Sequence, residues 1–140
     1  MNILEKKENA LKAFVSQEKD NRYRYLINLG REFKSLDESL KIDKYKIDGC
    51  QSQVWIFPEF KDGLLFFQAE AEAAIVKGVV AILMEIYNNN TPEDILSLPI
   101  EFLTESGLIA NLSMTRSNGI MQVVKQIKMY ALVFKAMSKK

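Results

Sequence analysis

The stretch from Ala73 to Tyr87 is almost continuously apolar, and only Lys77, Gly78 and Glu85 interrupt it. It is too long for an ordinary strand, and its uncharged core from Gly78 to Met84 is too short to span a bilayer. A helix with so narrow a polar side must be enclosed by other elements. Lys77 and Glu85 mark the little solvent-facing surface it has. The rest of the chain therefore has to supply a coat for one central buried helix.

The coat is legible on both sides. Ile3, Leu4, Leu11, Phe14 and Val15 recur at helical spacing and predict a first amphipathic helix. A second helix, capped by Asp20 or Asn21, carries the stripe Tyr23, Leu26, Ile27 and Phe33. Gly30 lies on that stripe, where glycine costs about 1 kcal/mol against alanine. Close packing against another element would explain it. Residues 35–48 read as a loop leading to a strand from Ser52 to Phe57 that stops at Pro58. Asp62-Gly63 is a hairpin turn signal, and Leu64 to Ala69 form the returning strand. After the central helix, Asn88-Asn89-Asn90 is a stop, and Thr91-Pro92 is an N-cap with proline at the first helical position. A short helix is expected between Pro99 and Gly107, and a long one carrying Ile120, Val123, Val124, Ile127, Tyr130, Ala131 and Phe134. The expected class is α+β, an antiparallel sheet packed against helices, in a single domain over residues 1–140.

Composition closes off several kinds of chemistry. The chain has no histidine and one cysteine. A Ser-His-Asp triad, a Cys-His pair, a structural zinc site and a self-contained iron–sulfur site are thereby excluded or starved of ligands. Nineteen basic and eighteen acidic side chains leave a net charge of +1, giving no overall pull toward nucleic acid or anionic membrane. The N-terminal residues lack an apolar signal core, so a cytoplasmic protein is expected.

Cys50 is the one reactive atom left. A lone cysteine is commonly a small buried hydrophobe. Cys50, however, sits in the polar run Asp48-Gly49-Cys50-Gln51-Ser52-Gln53. Gly49 gives that run conformational freedom and can serve as a hinge. The apolar residues after Ser52 could shelter the thiol. Without a histidine the thiol has no general base, which disfavours hydrolase or acyl-transfer chemistry. Attack on an already activated sulfur needs only some thiolate and a good leaving group.

Here the chain resembles the SufE/CsdE family. Gly49-Cys50-Gln51-Ser52-Gln53-Val54-Trp55-Ile56 is similar to its cysteine motif. Ala73-Ala74-Ile75-Val76-Lys77-Gly78 and Leu112-Ser113-Met114-Thr115-Arg116-Ser117-Asn118-Gly119 resemble two further blocks in the same order. The resemblance implies the α+β fold shared with IscU-type scaffolds. It implies that Cys50 accepts persulfide sulfur from a SufS-type cysteine desulfurase and passes it to downstream iron–sulfur scaffold proteins. Pyridoxal phosphate belongs to the desulfurase, so no cofactor or metal is expected here. The chain is then an accessory transfer protein rather than an independent enzyme. The alternative is an adaptor that activates the desulfurase without carrying sulfur. Met114-Thr115, Asn111, Ala71 and the short hairpin turn depart from the family pattern.

Gly49, Gln51, Ser52 and Gln53 flank the thiol and are the expected partner contacts. Arg116, by its place in the third block, is expected to favour thiolate and persulfide anions. Glu72 reads as a helix-start carboxylate, with partner contact the alternative, Lys77 as a rim lysine, and Trp55 as a sheet-face anchor. No nucleic acid or membrane partner is expected, and a homodimer is compatible with all of this.

Overall fold

A computed structural model describes residues 1–47, 52–110 and 112–138. Helix α1 spans Ile3–Val15 and α2 spans Lys19–Glu32. Two short 3-10 turns, Glu38–Leu40 and Asp43–Tyr45, lead to strands β1 (Val54–Lys61) and β2 (Leu64–Ala71). Helix α3 spans Ala74–Tyr87, followed by α4 (Pro92–Ser97), α5 (Phe102–Glu105) and α6 (Met114–Ser138). The order and the α+β class are those expected.

Helix α3 is the centre. Its residues Ile75, Val76, Val79, Val80, Ile82, Leu83, Met84, Ile86 and Tyr87 are all buried. A fully buried aliphatic chain contributes roughly 2 kcal/mol, so this helix outweighs any single cap in the molecule, each worth about 1 kcal/mol. Helix α2 crosses it at very short range. A Cβ on Gly78 would lie 1.9 Å from the Leu26 carbonyl oxygen, and one on Gly30 would lie 2.8 Å from that of Ala74. The two glycines face each other's helices, which is the close packing that Gly30 required.

The hairpin covers another side of α3. Lys61 pairs with Leu64 across a two-residue turn in which Asp62 and Gly63 both take positive φ, 53° and 79°. Strand β1 does not stop at Pro58. It runs on to Lys61, because Pro58 pairs with Phe67 at a position whose N–H groups point away from the partner strand. The Phe67 N–H accordingly donates to Asn88 Oδ1 at 2.6 Å. Proline's missing donor is therefore not needed there. Asn88–Asn90 continue along this outer edge of β2: Leu65 N–H donates to the Asn90 carbonyl at 2.8 Å and Asn89 N–H to that of Leu65 at 2.9 Å. Lys6 Nζ holds the same corner by donating to the Asn88 and Asn89 carbonyls.

Several helix ends differ from expectation. Asn2 and Glu5 form a capping box on α1, and Leu4 and Val15 turn outward from it. Helix α2 starts at Lys19 after Glu18, ahead of the expected caps Asp20 and Asn21, and Tyr23 is exposed. Thr91 Oγ1 accepts from Asp94 N–H, as the Thr-Pro signal predicts. Helix α5 is shorter than expected, and Gly107, at φ 79°, follows it. Helix α6 begins six residues before Ile120, so most of the third matched block is already helical. It buries Ile120, Val123, Val124, Ile127 and Ala131 against the core.

Candidate functional site

Cys50, Gly49 and Gln51 lie outside the described residues, together with Asp48, and so does the shelter expected for the thiol. The residues on either side are described, and they are held in place. On the entry side, Lys46 forms an antiparallel bridge with Trp55. The Ile47 N–H donates to the Val54 carbonyl at 2.8 Å, and Ile47 is buried. On the exit side, Gln53 and Glu72 bond twice. The Glu72 N–H donates to the Gln53 carbonyl at 3.0 Å, and the Gln53 N–H donates to Glu72 Oε1 at 2.8 Å. Both ends of the cysteine segment are thus tied to the hairpin within a few residues of the thiol.

Glu72 stands just before the start of α3, and its side chain has a specific partner. Its carboxylate does not cap α3, whose N-cap is Ala73 with no side-chain hydrogen bond. It reaches back across the β2–α3 corner to the main chain beside the cysteine segment. Ser52 is half-buried and Gln53 exposed. Trp55 is buried, 8% exposed, as a sheet-face anchor should be.

Arg116 occupies the first turn of α6, and its N–H donates to Ser113 Oγ at 3.2 Å. Ser113 therefore caps the start of α6. The Ser117 hydroxyl donates to the Ile109 carbonyl at 3.3 Å and fastens the same turn to the preceding segment. A helix start carries uncompensated N–H groups and favours anions, and a guanidinium adds to that.

Sequence reasoning missed Glu70. It is only 7% exposed and stands out of phase with the buried face of β2, formed by Leu65, Phe67, Ala69 and Ala71. Its carboxylate lies 2.9 Å from Lys77 Nζ and 3.9 Å from Lys41 Nζ. Lys77 Nζ also donates to Ser35 Oγ at 3.3 Å. Burial alone would push the Glu70 carboxyl up. The hydrogen bonds from Lys77, Ser35 and the Ala71 N–H, with the charge of Lys77, outweigh it and hold the group below the usual carboxylate range. Lys77 is therefore not a rim lysine with only water as a partner. The cluster pins the connector from Ser35 to Lys41 onto β2 and α3, and that connector leads to Lys46 and Ile47. The sequence signal was the one acidic residue of a mainly apolar strand followed by the lone lysine of an apolar helix. Only the fold puts the two side by side.

Among the described residues no group of three or more Asp, Glu, Cys or His side chains could hold a metal ion. No helix among them is long and apolar enough to cross a membrane.

Residues 8–131 match the SufE model, described as an Fe-S metabolism associated domain. Uncharacterized SufE-like proteins of Synechocystis sp. and Rhizobium meliloti are 34% and 35% identical, over 81% and 83% of this chain and 71% and 86% of theirs. One from Rhizobium etli is 35% identical over 81% of this chain and 80% of its own. The solution structure of a hypothetical protein from Thermus thermophilus is similar in fold, with a TM-score of 0.78 at 20% identity. That likeness covers 95% of this chain and 96% of the other.

Proposed function

The chain belongs to the SufE family, a domain associated with Fe–S metabolism, and from that premise we propose that Cys50 accepts sulfur from a SufS-type cysteine desulfurase. The Cys50 thiolate attacks the outer sulfur of a persulfide on the donor's cysteine. A sulfur–sulfur bond forms at Cys50 Sγ, and the donor's sulfur–sulfur bond breaks. The donor cysteine leaves as a thiolate, so no external oxidant or reductant is consumed. The new persulfide then passes toward iron–sulfur cluster assembly by the same exchange. Pyridoxal phosphate stays with the desulfurase.

The observation that carries this reading is the pinning of both flanks of the chain's one thiol, by Ile47 to Val54 on one side and by Glu72 to Gln53 on the other. Ile47 and Gln53 are thereby fixed as described residues on either side of the chain's one nucleophile in sequence. Gly49, Gln51, Ser52 and Gln53 are assigned to partner contact. Arg116 is assigned to favouring the sulfur anion.

The test is to supply radiolabelled cysteine to a cognate desulfurase with wild-type protein or Cys50→Ser. Label should appear on the wild type and be absent from the variant. Stimulation of the desulfurase by Cys50→Ser equal to wild type, with no label on either, would make the chain an adaptor instead.

A further inference from the structure

The charges of this chain are divided along its length. No Asp or Glu follows Glu105, whereas Arg116, Lys125, Lys128, Lys135, Lys139 and Lys140 all do. Helix α6, over Met114–Ser138, therefore carries basic side chains and not one carboxylate. One of its lysines is already used: Lys128 Nζ donates to the carbonyls of Ile95, Leu96 and Leu98 at the end of α4. Lys125 is not directed inward in this way; it is exposed.

Lys125 borders a cleft of about 250 Å³ between α6 and the entry flank of the cysteine segment. Lys46 and Ile47 form one wall, and Gln122, Lys125, Gln126 and Met129 form the other. Among the described residues lining it there are two ammonium groups, two primary amides and no carboxylate. Ile47 and Met129 add apolar surface, and Met129 is 54% exposed. The same outward face of α6 continues with Leu132 and Val133, which are 53% and 45% exposed.

We propose that this cleft docks a carboxylate-bearing segment of the sulfur donor, an acidic side chain seated between Lys46 and Lys125 with apolar neighbours lying along Met129, Leu132 and Val133. The inference rests on the sulfur-acceptor reading, because it assigns the partner's footprint beside Cys50. Charge complementarity selects the occupant. The cleft is concave and is lined by two lysines with no carboxylate among its described residues, which suits a carboxylate. A lipid surface is flat, and two lysines would bind it weakly. Docking here would place the donor against Lys46 and Ile47, the residues immediately before the cysteine segment.

The experiment measures binding of the cognate desulfurase to wild type, Lys125→Glu and the double variant Lys46→Glu/Lys125→Glu, at low and high salt. Circular dichroism and melting confirm that each variant is folded. Affinity should fall about tenfold in the double variant at low salt. The wild type should lose affinity with added salt, and the double variant should lose much less. Sulfur loading of Lys125→Glu should lag wild type at subsaturating desulfurase and rise with desulfurase concentration, whereas loss of a chemical role would persist at every concentration. Equal affinities across the set would overturn the proposal. So would binding of the wild type to phosphatidylserine vesicles, lost in the double variant while desulfurase affinity holds. Loss of loading in every protein, wild type included, would instead refute the sulfur-acceptor reading.

Discussion

Glu72 gives the sharpest test of how the cysteine segment is held. Its carboxylate accepts the Gln53 N–H at 2.8 Å, and its own N–H donates to the Gln53 carbonyl at 3.0 Å. Glu72→Ala removes the first bond and leaves the second. A hydrogen bond to a charged acceptor is worth about 1.5–3 kcal/mol when shielded, but this one is exposed, so about 1 kcal/mol is the reasonable figure. At 1.4 kcal/mol per tenfold, that raises the open population of the exit flank about fivefold. Glu72→Gln keeps an oxygen acceptor without the charge and should raise it only about twofold. The assay is amide hydrogen exchange at Gln53, read residue by residue by NMR. Exchange at Gln53 should quicken in the order wild type, Gln, Ala, while amides in the middle of α3 keep their protection. An unchanged Gln53 rate in Glu72→Ala would show that the carboxylate does not hold this flank.

Glu70→Gln should cost about 2 kcal/mol near neutral pH, because Lys77 keeps its charge and loses its close partner. The folded carboxyl lies below its ordinary 4.5. Its contribution is therefore full above that value and is lost as pH falls through the lower folded value. Urea midpoints of wild type and variant should converge only on acidification below 4.5. Gly78→Ala should destabilise by about 3 kcal/mol or more, since its Cβ would meet the Leu26 carbonyl at 1.9 Å. Gly30→Ala, at 2.8 Å from the Ala74 oxygen, should cost less, and thermal melts will rank the two. Arg116→Ala should slow sulfur transfer several-fold with little change in melting temperature, as single-turnover loading will show.

The elements governed by local patterns were readable in the sequence. The apolar run of α3, the Asp62-Gly63 turn and the Thr91-Pro92 cap each carry their own signal, and each stands where expected. What failed depended on partners distant in sequence. Pro58 looked like a strand end because register parity, which makes its missing N–H harmless, exists only once Phe67 is opposite. Leu4, Val15 and Tyr23 matched helical periodicity but lie outside the part of each helix that α3 covers. Ala73 precedes α3 without a side-chain cap, because burial of so many apolar residues makes the cap dispensable. At the site, the third matched block drew attention to Arg116, and a place just before α3 drew attention to Glu72. Periodicity could not reveal that Glu72 bonds the Gln53 main chain, or that Glu70, Lys77, Lys41 and Ser35 meet. Both facts follow from the corner between β2 and α3.

The central claim is that Cys50 carries sulfur. The direct measurement is mass spectrometry of the alkylated peptide containing Cys50, taken after brief incubation with a cognate desulfurase and cysteine. The account predicts one additional sulfur on Cys50 of the wild type, removed by reductant, appearing within a single turnover of the donor. Desulfurase turnover that is stimulated by the protein while the Cys50 peptide never gains sulfur would contradict it.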